Sequence, residues 1–216
     1  MTAEPMLPPP AVPSRGHLYV IAAPSGTGKT SLVKALMAQT PSLGFSVSHT
    51  TRPRRVTEVD GRDYHFTDKD AFRRMIAAGE FLEHAEVFDN LYGTGRAGVE
   101  EALACGRDLL LEIDWQGAQQ VRGRLPEALD IFILPPSRAA LELRLRGRGT
   151  DTDEVIARRL RDSVTELSHW HEFRYAIVND DFEQALADLR RVVAGDRAPF
   201  RSDRPALGAF AAELLA

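Results

Sequence analysis

Cysteine occurs once, at Cys105, and lysine only three times, at Lys29, Lys34 and Lys69. A single thiol excludes an internal disulfide and any cysteine-based metal site. Placed just before Gly106, Cys105 reads as a small buried residue at a helix end. No run approaches the roughly 18 apolar residues of a membrane-spanning helix. Residues 1–16 lack the basic start and apolar core of a secretory signal. A cytoplasmic protein with no membrane partner is the expectation. Basic excess is missing too: the net charge is −4, which argues against a protein that coats nucleic acid. There is no internal repeat, and no second stretch has a core of its own.

What is present fits one domain with insertions at most: 216 residues, 44% hydrophobic and 27% charged. Five of the 13 prolines precede Ser14. Residues 1–16 therefore read as an extended, disordered proline-rich tail.

The stretch that organises the chain is 17–31, HLYVIAAPSGTGKTS. Residues 17–23 are short, apolar and β-branched, the pattern of a buried strand. Pro24-Ser25-Gly26-Thr27-Gly28 cannot continue it. From Lys29 the spacing is helical, with Leu32, Val33, Leu36 and Met37 on one face. Strand, glycine turn and helix in that order make a phosphate-binding loop. Glycine lets backbone N–H groups curl around an anion, and the helix N-terminus adds partial positive charge. The segment Ala23–Thr30 is thus expected to hold ATP. Lys29 is expected to reach the β- and γ-phosphates, and the Thr30 hydroxyl to bind Mg²⁺. The general pattern asks for glycine at Ala23.

Downstream, helices are expected at 29–39, 68–78 (capped by Thr67), 96–105, 115–122, 137–145, 153–169, 182–193 and 206–215. Strands are expected at 45–49, 81–88, 107–114, 130–134 and 175–179. Residues 50–66 carry Arg52, Arg54, Arg55 and Arg62 with no apolar period, so they read as a loop or short strands suited to an anion. Alternating strands and helices after a phosphate loop imply an α/β fold with a doubly wound parallel sheet. Ligands then sit at the carboxyl ends of the strands.

A second set of motifs follows. It comprises Ser48-His49-Thr50-Thr51-Arg52-Pro53-Arg54-Arg55, then Glu58, Gly61 and Tyr64, and Phe81-Leu82-Glu83-His84-Ala85. Next come Tyr92-Gly93-Thr94 and Glu112-Ile113-Asp114-Trp115-Gln116-Gly117. Arg144-Leu145-Arg146-Gly147-Arg148-Gly149 and Ile177-Val178-Asn179-Asp180 complete it. In order and spacing this series resembles the guanylate kinase family, in its bacterial form, over about residues 17–195. That resemblance implies a P-loop core with a GMP-binding insertion at about 48–94 and a mobile lid at about 137–163. Residues 196–216 would be a helical extension. It implies transfer of the γ-phosphoryl group of MgATP to GMP, with ATP and GMP as partners and Mg²⁺ as cofactor. Monomer and homo-oligomer are both open.

The resemblance also assigns roles. Arg52, Arg55, Tyr64 and Tyr92 match the clamp on the GMP phosphate, with Glu58 in the same site. Ser48, Glu83, Thr94 and Asp114 match the guanine readers. Arg144, Arg148 and Arg159 match arginines on the ATP phosphates and the transferring group. With Lys29 and Arg52 they form the expected catalytic set. Asn179 matches a contact near adenine. Glu112, on the Mg²⁺ side, stands where family members often have Asp. Its extra methylene moves a carboxylate by roughly 1 Å.

The residue types suit this chemistry. Guanine offers two adjacent donors, N1–H and the 2-amino group, and a carboxylate such as Glu83 accepts from both. A hydroxyl such as Thr94 can donate to O6. Arginine forks bind phosphate bidentately. Phosphoryl transfer needs alignment and positive charge more than covalent chemistry. Blander roles also apply. Arg146, Arg158 and Arg161 read as a solvated helix face, Trp115 as core packing, and His49, His84, His169 and His171 as structural. Two rivals are a kinase for another small phosphorylated acceptor and a scaffold that has lost catalysis.

Overall fold

The computed structural model describes residues 14–87, 89–147 and 153–215. Most of the expected tail (residues 1–13), Phe88 and the break around Arg148 lie outside them. In chain order the elements are β1 (Leu18–Ala22), α1 (Lys29–Gln39), β2 (Gly44–Phe45), β3 (His49–Thr50), β4 (His65–Phe66) and α2 (Lys69–Ala77). Then come β5 (Phe81–Val87), β6 (Asn90–Gly95), α3 (Arg96–Ala104), β7 (Leu109–Glu112), α4 (Trp115–Arg124) and β8 (Leu129–Leu134). The chain continues through α5 (Arg138–Arg146), α6 (Asp153–Ser168), β9 (Tyr175–Val178), α7 (Phe182–Val193) and α8 (Pro205–Leu215).

β1 is apolar and buried along its whole length. A strand of that kind needs cover on both faces. Alternation sends Leu18, Val20 and Ala22 one way and Tyr19 and Ile21 the other, and each set founds a core. On the first side lie Val99, Ala118, Val121 and Leu167 from α3, α4 and α6. On the second lie Leu32 and Leu36 of α1 with Leu186 and Leu189 of α7. The sheet between them is parallel, in the order β2-β7-β1-β8-β9. The chain therefore leaves β1 in opposite directions to fill the two halves, and the loop after β1 opens at the carboxyl rim.

A second sheet, ordered β4-β3-β6-β5, stands beside that rim. Its core is the antiparallel hairpin β5–β6, turned at Asp89, the one non-glycine residue with positive φ (66°) among the described residues. The stretch 45–49, expected as one strand, is split: Phe45 pairs with β7 in the first sheet and His49 with β4 and β6 in the second. Alternation cannot say which strand will be the partner.

Other differences are local. The cap of α2 is Asp68, not Thr67, because its carboxylate reaches the Ala71 N–H. Cys105 is exposed, not buried. It caps the end of α3 from outside the apolar face. Gly16, at the end of the stretch expected as a tail, donates its N–H to the Leu103 carbonyl at 2.9 Å. The final helix packs onto the first core through Leu207 and Leu214. Leu207→Ala is expected to lower the unfolding free energy by about 2–4 kcal/mol. Urea titration would read this as a lower midpoint at unchanged slope.

Candidate active site

After β1 the chain turns through two left-handed glycines, Gly26 (φ 90°) and Gly28 (φ 95°). A Cβ on Gly28 would also lie 2.7 Å from the Asn179 amide nitrogen. The turn is braced from outside. The Thr27 carbonyl accepts from Asn179 Nδ2 at 2.6 Å and from Arg144 Nη1 at 3.2 Å. The Ser25 N–H donates to Glu166 Oε2 at 3.0 Å, and Ser163 Oγ reaches the Ser25 carbonyl at 3.4 Å. At the start of α1, Lys29 Nζ donates to the Ile113 carbonyl at 2.9 Å and lies 3.9 Å from Glu112 Oε1. The Thr30 hydroxyl donates to that same Glu112 oxygen at 2.5 Å.

This loop forms one wall of a cleft of about 360 Å³. The second sheet forms another. Register sets Glu83 opposite Thr94 and Ala85 opposite Tyr92. Period-two alternation then puts Glu83, Ala85 and Val87 on the face that lines the cleft, with Tyr92 from the partner strand. Glu83 is 2% exposed. Thr94 Oγ1 donates to its Oε1 at 2.5 Å. Burial pushes the Glu83 carboxyl up to about 7. The Thr94 bond opposes the rise and Asp114 adds to it. Asp114 caps α4, accepting from the Gly117 N–H at 2.8 Å and from Gln116 Nε2 at 3.1 Å. Ser48 and the tyrosines Tyr64 and Tyr92, 6.0 Å apart between ring centroids, complete this side.

One cleft thus holds an anion-cradling loop and, across from it, buried acceptors for a polar ring. The family model described as guanylate kinase matches residues 15–195. The chain belongs to the guanylate kinase family. A guanylate kinase of Methylococcus capsulatus is 57% identical over 202 residues, 94% of this chain and 99% of that protein. One of Escherichia coli is 50% identical over 205 residues, again 94% and 99%. The crystal structure of guanylate kinase from Anaplasma phagocytophilum superposes with a TM-score of 0.70 at 34% identity, covering 86% of this chain and 88% of that one.

Of the expected site residues, the cleft lining contains Ala23, Pro24, Ser25, Gly26, Gly28, Lys29 and Thr30 from the phosphate loop, and Ser48, Tyr64, Glu83, Tyr92, Glu112, Asp114 and Arg159 from the guanylate kinase resemblance. Others stand behind it. Thr94 stands behind Glu83, its hydroxyl donating to Oε1 at 2.5 Å where a contact to O6 was expected. The Asn179 side chain is turned into the loop, buried at 3% exposure, instead of lying open to a base. Arg144 bonds two carbonyls, those of Thr27 and Asn179, where a phosphate contact was expected. Arg52 forms an ion pair with Glu58 at 2.6 Å, and the other Glu58 oxygen takes the Arg55 N–H at 2.8 Å. Glu58 thus shapes the arginine loop. The Arg55 side chain is on its exposed side. Arg148 lies outside the described residues.

Glu166 lines the cleft without having been expected there. It sits on a helix 141 residues from the Ser25 it binds, so no local pattern announces it. Burial pushes its carboxyl up to about 7; the Ser25 N–H and Lys29 pull it down, and Asp114 and Asp162 push it up. From its ordinary value of 4.5 up to about 7 the native state keeps a proton that the unfolded chain has released. Stability therefore falls as pH rises through that window. Glu166→Gln keeps an acceptor for Ser25 but cannot ionise. Melting curves are expected to coincide with wild type below pH 4.5 and to lie higher for the variant above pH 7. Equal melting temperatures across the range would contradict the burial argument.

Proposed function

We propose the following division of labour for ATP-dependent phosphorylation of GMP to GDP, the activity of this guanylate kinase family member. The observation that carries it is the meeting, in one cleft, of the phosphate loop with the buried Glu83–Thr94 pair. The backbone of Ser25–Thr30 cradles the ATP phosphates, and Lys29 brings its charge to the β- and γ-phosphates. Arg159, on the wall formed by α6, adds positive charge over the transferring group. Glu83 accepts from guanine N1–H and the 2-amino group, with Ser48 and Asp114 beside it. Tyr64 and Tyr92 donate to the GMP phosphate, with Arg52 close behind: its guanidinium carbon lies 5.5 Å from the Tyr64 ring centroid.

The Thr30 hydroxyl and Glu112 carboxylate are hard oxygen donors and converge within 2.5 Å at the carboxyl end of β7. Among the described residues no group of three or more His, Cys, Asp or Glu could hold a metal. Mg²⁺ commonly takes one or two protein ligands, with waters and substrate phosphates, so this donor set fits it. When bound, Mg²⁺ neutralises charge on the ATP phosphates. No base is required of the protein, because alignment and charge dominate this reaction.

The test is ADP production from MgATP with GMP, AMP, UMP and CMP in parallel. Turnover with GMP alone supports the assignment of the guanine-facing wall. Turnover with AMP at a similar rate would refute it.

A further inference from the structure

We infer that Gly117 is a specificity-determining residue for GMP, because its missing side chain fixes where the Glu83 carboxylate sits. The inference rests on the proposed reading of Glu83 as the guanine acceptor. Gly117 lies in the first turn of α4 and is buried. A Cβ built there would stand 2.5 Å from Glu83 Oε2 and 3.1 Å from its Cδ, with Ile113 Cδ1 at 3.2 Å. Ordinary contact begins at 3.4 Å, so a methyl group would displace the carboxylate by about 1 Å, a shift that can cost a binding geometry 10²-fold.

Any shift takes Glu83 off its anchor. Its other oxygen is held by Thr94 at 2.5 Å, the side chain is 2% exposed, and its one open side is the cleft where the base is assigned. The backbone of Gly117 acts on the second carboxylate as well, since its N–H donates to Asp114 Oδ1 at 2.8 Å. One residue thus positions both acids: Asp114 by a donor, Glu83 by an empty space.

Backbone conformation does not call for glycine here. Gly117 is helical and is absent from the positive-φ glycines of the described residues. Alanine is the better helix former. Gly123 in the same helix makes the contrast, because a Cβ there would meet nothing within 4 Å. Propensity alone favours alanine at both positions, and only Gly117 faces a substrate-binding side chain.

The experiment compares wild type, Gly117→Ala, Gly123→Ala, Glu83→Asp and the double variant Gly117→Ala/Glu83→Asp. KM is measured for GMP at saturating MgATP and for ATP at saturating GMP, with melting temperature alongside. Gly117→Ala is expected to raise KM for GMP at least about tenfold and leave KM for ATP within about twofold. Gly123→Ala should change neither. In the double variant the shorter Asp makes room for the methyl group, so KM for GMP should fall clearly below the product of the two single effects. Gly117→Ala behaving like Gly123→Ala, or fully additive single effects, overturns the inference. Unchanged KM for GMP in Glu83→Asp would instead remove the underlying reading of Glu83, and the inference with it. If Gly117→Ala does not fold, the double variant decides. Folded protein that turns over GMP supports the inference, and an unfolded one overturns it by placing the cost of the methyl group elsewhere.

Discussion

Lys29→Ala is expected to lower kcat by about 10³-fold, the scale of losing a preorganised charge at a transferring group. Its ammonium is well placed for that role. It stands at the start of α1 on the cleft wall, held by the Ile113 carbonyl at 2.9 Å. No other lysine can replace it. Lys34 is exposed on the same helix and Lys69 is exposed at the start of α2. GMP is assigned to the opposite wall, so its dissociation constant, read by calorimetry without ATP, should stay within about threefold, less than 1 kcal/mol. A variant with wild-type kcat, or one that loses GMP affinity as severely as turnover, would remove Lys29 from the ATP side.

Glu83→Gln is the second large effect. The amide keeps the size of the carboxylate and still accepts from Thr94. It turns an N–H₂ group toward guanine donors, leaving buried polar groups opposed. Such mispairing lowers kcat/KM by about 10²-fold or more in a site built for hydrogen bonding. KM for ATP should stay within about twofold, because the phosphate loop is untouched. The pH dependence gives an independent reading. Burial holds the Glu83 carboxyl up at about 7, so below that pH the free enzyme carries it protonated. Guanine donors need the ionised form, and GMP binding must expel the proton. KM for GMP in wild type should therefore rise as pH falls below about 7, and Glu83→Gln should lose that component. Identical pH profiles would show that Glu83 does not face the base.

The parts legible in the sequence are those governed by local rules. Strand, glycine turn and Lys-Thr at a helix start mark the loop, because each residue type answers a need of its neighbour. The bounds of α1 and α7 follow the same way, from apolar period and a breaker or cap. What was hidden depends on register and on pairs far apart in the chain. Nothing near Thr94 says that its proton goes to Glu83; that follows from the β5–β6 register. Glu166 and Gly117 read as an ordinary helix charge and a helix glycine until tertiary packing sets one against Ser25 and the other against Glu83. Residue type points Asn179 and Arg144 toward ligand, yet both brace the Thr27 carbonyl. Residue type identifies the neighbourhood, and side-chain direction depends on register and on partners that lie from 11 to 152 residues away.

The bracing of Thr27 has a consequence for how the enzyme is made. A ribosome completes the loop before any of the groups that brace it. Its supports arrive late: Arg144 is 117 residues further on, Glu166 is 141 residues beyond Ser25, and Asn179 is 152 residues beyond Thr27. Even the strand that carries the loop is flanked by β7 and β8 from the second half of the chain. A nascent chain that stops before α5 therefore displays the whole loop motif without any of the three side chains that brace it. The loop is thus synthesised ahead of the groups that set its shape, and it can take that shape only after they have packed against it.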